Sequence, residues 1–313
     1  MSSKVKKTIF IILKILLVIA AIFFIFKAFG SSWSDIKDLD LSTVDIGRLI
    51  ASYLVLIIGY ILFGLMWIMI IRGHGEIMPI KIGCSIYFLA NLFRYIPGKV
   101  MQGVSMVYFA KKRGISVTTA LSSTVIHQIV FIISGVTISI IFLPPSLFGQ
   151  EYAHLSYLRI FGLALVIFIY PPFLNFAIRT VSKLTKKELP KIDISFAKLL
   201  YYWLFGILVW LVNGIALAIF TSAFKDISFY NFTNVIAIYP TGYVIAFMAI
   251  IFPGGIGIRE GVFAFFLKDI VGKPLNIAIG GLSRVWIMAM ELIVVLPFLF
   301  IYLKNRKKGK DWI

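Results

Sequence analysis

The chain has 313 residues, 60% of them hydrophobic and only 14% charged, which is too little polar surface to clothe a soluble domain and makes the bilayer its solvent. Its formal net charge of +18 lies in short basic runs beside apolar stretches, not on an independent polar domain, so the charge reads as membrane topology and a nucleic-acid partner is excluded. The single cysteine, Cys84, excludes a disulfide framework and a cysteine-rich metal site.

In chain order, Lys4, Lys6 and Lys7 precede an apolar run over 8–29. The run is too long for a signal peptide and no small-residue cleavage site follows it, so it is expected to be a first span. A hydrocarbon core about 30 Å thick takes roughly 20 apolar residues per helix. Runs of that length recur near 49–71, 119–142, 158–178, 199–223 and 276–303, which predicts six full crossings.

Two regions fit less simply. The stretch 82–110 is too short for two spans, and Pro97-Gly98 interrupts it midway. Basic residues decide how it is read, because they collect in cytoplasmic loops. If 82–110 returns to its own side, Lys111, Lys112 and Arg113, the loop from Arg179 to Lys198, and the tail from Lys304 to Lys310 share one side with the N-terminus. The reading is a re-entrant hairpin entering from the cytoplasm, with both termini cytoplasmic and the cell membrane as the location. Pro253-Gly254-Gly255 divides 235–267 in the same way, either as a second hairpin or as two short spans, and the parallel favours the hairpin.

The expected fold class is therefore an all-α polytopic membrane protein, a single integral domain over 1–313. It has six spans and two re-entrant Pro-Gly hairpins arranged as an inverted repeat, 1–142 and 158–303. Weak internal echoes accompany the pattern: Tyr95-Ile96-Pro97-Gly98 against Ile251-Phe252-Pro253-Gly254, and Gly114 six residues before Ala120 against Gly272 six before Ala278. Broken helices at matching places in two halves point to a substrate site near the midplane. Inside the bilayer a break leaves N–H and C=O groups that lipid tails cannot satisfy. Pro97, Gly98, Pro253, Gly254, Gly255 and Gly257 are accordingly candidates for a backbone anion site or hinge, and a helix starting after Pro253 would aim its positive end at a phosphate.

Arg94, Lys99, Arg259, Glu260, Arg284 and Glu291 fall in or beside apolar regions, where an unpaired charge costs about 2.5 to 3.5 kcal/mol on insertion scales. They are the candidate substrate-binding residues, the cations gripping a phosphate-bearing headgroup and the glutamates holding the cations. The plainer alternative is internal ion pairing that fixes how the repeats pack. Arg284 and Glu291, seven residues apart on one helix, are too distant along the axis to pair with each other. His127 and Gln128, near Ser122, Ser123 and Thr124, read as a proton site or, more simply, as interhelical hydrogen bonding. The tryptophans read as anchors or packing, and neither HExxH nor paired aspartates at metal spacing occur. No metal, cofactor or catalytic residue is expected.

The strings NLFRYIPGKVMQG (91–103), AKKRGIS (110–116) and FPGGIGIREG (252–261) resemble the flippase-like transmembrane family named after the membrane domain of lysylphosphatidylglycerol synthases. The resemblance covers most of the chain and matches Pro97, Gly98, Lys99, Pro253, Gly254, Gly255, Gly257, Arg259 and Glu260. Met106 departs from the pattern where an arginine is expected, and so do His127 and Gln128 where acidic and basic residues are common. The resemblance implies lipid handling. With the chain ending at Ile313 there is no aminoacyl-transferase domain in view, so lysine transfer is not expected. The leading expectation is a translocase for an anionic phospholipid or polyprenyl-linked glycolipid headgroup, with membrane lipid as substrate. The alternatives are a non-transporting partner of a cell-envelope assembly enzyme, or a membrane-embedded lipid-phosphate transferase.

Overall fold

The computed structural model describes residues 41–95, 101–143, 154, 157, 159–185, 193–249 and 257–307, and every described element is helical. In chain order these are α1 (Ile46–Gly73), α2 (Ile80–Asn91) with a 3-10 extension (Leu92–Tyr95), α3 (Met101–Lys112) and α4 (Val117–Phe142). After them come a short α5 (Phe161–Ala164) running into a 3-10 turn (Leu165–Ile169), α6 (Pro171–Thr185), α7 (Phe196–Ser222), α8 (Phe229–Met248), α9 (Ile258–Val271) and α10 (Leu275–Lys307).

The helices start where local chemistry starts them. Asp45, Ser116, Ser195 and Ser228 each accept a first-turn N–H, at 3.0 Å from Arg48, 3.0 Å from Thr119, 3.4 Å from Lys198 and 3.2 Å from Asn231. Gly114 and Gly272, with φ of +81° and +82°, end α3 and α9 and turn the chain into the long helices α4 and α10. The two glycines that echoed each other in sequence thus occupy equivalent corners.

Among the described residues four helices are long and apolar enough to cross a membrane: α1, α4, α7 and the Leu275–Phe300 part of α10. Their outer faces support that reading. On α1, Ile50, Leu54, Ile58 and Ile61 are exposed at helical spacing, an apolar stripe turned outward as lipid requires. The run at 158–178, expected as one straight crossing, is instead broken at Tyr170. The segments Phe161–Ile169 and Pro171–Thr180 meet at 60°. Pro171 and Pro172 cannot supply the N–H groups that would carry a helix through this point. Among the described residues a fifth span is present only if this bent pair is one, and the run at 8–29 lies outside them.

The two Pro-Gly regions also differ. α2 and α3 have 12 residues each, about 18 Å, well short of the core thickness. α8 has 20 residues, about 30 Å, and continues through Pro240, whereas α9 has 14, about 21 Å. The second region is therefore not the symmetric counterpart of the first that the sequence suggested. In its longer arm, α8, polar residues such as Asn234 and Thr241 are buried on a helix face packed by protein.

α1 and α7 form the centre of the bundle, and around them α8 packs on α4 and α7, α2 on α1 and α10, and α9 on α8 and α10. Close approach is made by small residues: Asn213 of α7 packs directly onto Gly59 of α1, and Ser134 of α4 onto Gly206 of α7. Buried tryptophans tie the layers by hydrogen bonds as well as area. Trp286 Nε1 donates to Ser52 Oγ at 3.1 Å, and Trp210 Nε1 to the Phe131 carbonyl at 3.0 Å.

Candidate functional site

Where α2, α4, α8, α9 and α10 converge on the α1–α7 pair, they enclose a cavity of about 990 Å³, counting its open mouth. α2 contributes Tyr87, Asn91 and Arg94, a face at i, i+4 and i+7. α4 contributes His127, Gln128 and Phe131, and α8 Tyr239 and Tyr243. Arg259 enters from the first turn of α9 and Arg284 from the middle of α10, while Tyr60, Phe63 and Asn213 complete the wall from the central pair.

Three of the predicted site residues, Arg94, Arg259 and Arg284, are thus brought together on one cavity. Glu260 and Glu291 do not line it. They stand behind the arginines and pair with them. Glu260 Oε1 lies 3.2 Å from Arg259 Nη2 and 3.4 Å from Arg284 Nη1. Its other oxygen accepts the Gly257 N–H at 2.8 Å, so the carboxylate that orients two guanidiniums also caps α9. Glu291, only 6% exposed, pairs with Arg94 and so ties the end of α2 to α10. Arg284 and Glu291 each find a partner elsewhere, as their seven-residue spacing required.

Arg259 is 5% exposed, with its guanidinium 4.7 Å from the Tyr243 ring centre. Its Nε closes no hydrogen bond. The guanidinium is thus held by one carboxylate and one aromatic face. Against the paired charges of three arginines and two glutamates, one positive charge remains in excess. Lys99, Pro97, Gly98, Pro253, Gly254 and Gly255 lie outside the described residues. Gly257 is the positive-φ residue (φ +85°) from which α9 starts, and it presents its N–H to Glu260.

The family model described as the lysylphosphatidylglycerol synthase TM region matches residues 11–303. The chain belongs to this family. It is a multi-pass membrane protein of a family concerned with lipid handling. Comparison with curated proteins and with solved structures gives no match.

Several cavity residues were not legible in the sequence. Tyr60, Tyr87, Asn91, Gln102, Asn213, Tyr239 and Tyr243 were assigned no role, although Tyr87-Asn91-Arg94 and Tyr239-Tyr243 carry a signal, polar or aromatic groups at helical spacing inside apolar helices. His127 and Gln128 line the cavity, and His127 makes an interhelical hydrogen bond, its Nε2 lying 3.2 Å from the Phe63 carbonyl oxygen. Their neighbours hydrogen-bond between helices too: Ser122 Oγ meets His74 Nε2 at 3.1 Å, and Thr124 Oγ1 accepts from Trp67 Nε1 at 3.3 Å. Among the described residues no three His, Cys, Asp or Glu side chains converge as metal ligands would.

Proposed function

We propose that the chain translocates the headgroup of an anionic lipid, a phospholipid or a polyprenyl-linked glycolipid, across the cell membrane, with both termini cytoplasmic. The observation that carries this reading is the convergence of Arg94, Arg259 and Arg284 on one open cavity inside an apolar bundle, with positive charge in excess. In a low-dielectric surrounding that excess attracts an anion strongly, and guanidinium forks match phosphate oxygens. The aromatic wall suits the part of the headgroup beyond the phosphate.

The packing supports an inverted repeat with 1–142 and 158–303 as its halves. α1 lies on α7, α2 packs on α10, and α8 packs on α4, so each Pro-Gly region leans on the long final helix of the other half. Alternating access by rocking one half against the other would move the cavity mouth between the two sides. The lengths of α2 and α3 support re-entry at 82–110.

The internal ion pairs favour one part of the partner reading, namely that Glu260 and Glu291 serve packing. A closed bundle, its other requirement, is not what surrounds the arginines. A lipid-phosphate transferase would need a carboxylate or metal at the substrate. Glu260 and Glu291 are instead turned to arginines, and the proposal is a transporter without catalytic residues of its own.

The test is lipid scrambling in proteoliposomes with acyl-labelled anionic lipids and a membrane-impermeant quencher. Wild type is expected to move lipid, and Arg259→Ala and Arg284→Ala to lose at least about tenfold in rate, the loss of one charge-assisted contact. Absence of movement by folded wild type would overturn the proposal.

A further inference from the structure

α6 takes no part in the arginine cavity, and its surface divides into three faces of different chemistry. Leu174 and Ile178, at i and i+4, are buried against the protein. Phe173 and Phe176, at i and i+3, are 43% and 69% exposed. Asn175 and Arg179, again at i and i+4, form a polar edge with Arg179 exposed. Bare phenylalanines are disfavoured in water and an arginine is disfavoured in hydrocarbon, so only the boundary between the two suits both outer faces.

The packing puts α6 at that boundary. α4 and α7 both run antiparallel to α1, since Phe63 and Trp67 meet His127 and Thr124, while Gly59 and Gly73 meet Asn213 and Tyr202. Gly162 of α5 lies against Ile140 and Ile141, close to the C-terminal end of α4. Tyr170, at the end of the following 3-10 turn, meets Phe196, the first residue of α7, edge to face at 5.5 Å. The chain has by then passed from one end of the bundle toward the other. α7 has 27 residues, about 40 Å, more than the hydrocarbon core requires, so its first turn stands in the headgroup layer. There the chain bends by 60° into α6.

The polar edge borders an open groove of about 800 Å³, lined by Asn175, Phe176, Arg179 and Asp193 beside Pro171 and Pro172. Among the described residues no ion pair takes in Arg179. From 171 to 198 the sequence carries Arg179, Lys183, Lys186, Lys187, Lys191 and Lys198 against Glu188 and Asp193, an excess of positive charge beside an exposed aromatic edge. We infer that α6 lies in the plane of the cytoplasmic interface and docks on the anionic phospholipids of that leaflet, with Phe173 and Phe176 among the acyl chains and Arg179 at the phosphates. The lipid held here is not the one in the arginine cavity. The inference takes its side of the membrane from the proposed topology and nothing from translocation.

The experiment uses the full chain in liposomes, with Cys84→Ser and a bimane on either Phe173→Cys or Phe176→Cys. Quenching is compared for 5-doxyl phosphatidylcholine, 5-doxyl phosphatidylglycerol at equal mole fraction, and aqueous iodide. Both positions are expected to be quenched by doxyl lipid and shielded from iodide, with the phosphatidylglycerol probe about threefold more effective at low salt. Arg179→Gln should cut that excess at least by half and leave quenching by the phosphatidylcholine probe unchanged, which shows α6 still in place; Arg179→Lys should keep the excess. Quenching by iodide but not by doxyl lipid at both positions overturns the inference, as does equal quenching by the two lipids or an excess untouched by Arg179→Gln. Lipid scrambling on the same protein separates the readings: the excess without movement refutes translocation alone, and movement without the excess refutes docking alone.

Discussion

Replacing Glu260 by glutamine isolates the charge that organises the site. The amide oxygen can still accept the Gly257 N–H that Glu260 accepts at 2.8 Å, so the cap on α9 is largely kept. What disappears is the negative charge 3.2 Å from Arg259 and 3.4 Å from Arg284, and an amide –NH₂ now faces two guanidiniums. The side chains of Arg259, Glu260 and Arg284 are 6%, 12% and 18% exposed. Removing one partner of a fully buried pair costs about 3 to 5 kcal/mol, and of an exposed pair about 0 to 1. A cluster at the edge of an open cavity falls between these, at about 2 to 3 kcal/mol. At roughly 2 °C per kcal/mol for a chain of this length, the apparent Tm should fall by about 5 °C. The assay is thermal unfolding in detergent followed by size-exclusion fluorescence, run as a double-mutant cycle with Arg284→Met. The two changes should be less than additive by about 1 kcal/mol or more, since each removes part of the same interaction. A Glu260→Gln protein melting within about 1 °C of wild type, or strict additivity in the cycle, would refute the role given to this carboxylate.

Three further outcomes follow from the same geometry. Arg94→Glu or Glu291→Arg alone should destabilise by about 3 kcal/mol, because each leaves like charges facing across the contact that joins α2 to α10. The double swap should recover most of the melting temperature and still fail to move an anionic lipid, since a carboxylate then lines the cavity; recovered transport would contradict the anion reading. Gly280→Ala should cost about 1 to 3 kcal/mol by the same melting assay, because its Cβ would sit 2.8 Å from the Glu260 carbonyl oxygen and 3.1 Å from Ala264 Cβ. Gly114→Ala, with φ of +81° and open space around the added carbon, should lower stability by about 1 kcal/mol through backbone strain alone, so a change to asparagine should cost less than a change to alanine.

The amino-acid sequence by itself determined the solvent, the helical class and the identity of the improbable charges. Apolar run length and the thickness of a bilayer leave little choice over α1, α4, α7 and α10, and an arginine or glutamate in such surroundings stands out without any coordinates. The corners at Gly114 and Gly272 were legible for the same local reason, that helix ends have their own residue chemistry. Only tertiary structure decided which charge meets which. Glu260 serves Arg284, 24 residues away, and Glu291 serves Arg94 in the other half of the chain, pairings that depend on how helices cross and that one helix's periodicity does not contain. The same holds for the wall of the cavity. Tyr87, Asn91 and His127 are ordinary residues of apolar helices until α2 and α4 are packed beside α1, which brings them to one cavity wall and sets His127 Nε2 3.2 Å from the Phe63 carbonyl oxygen.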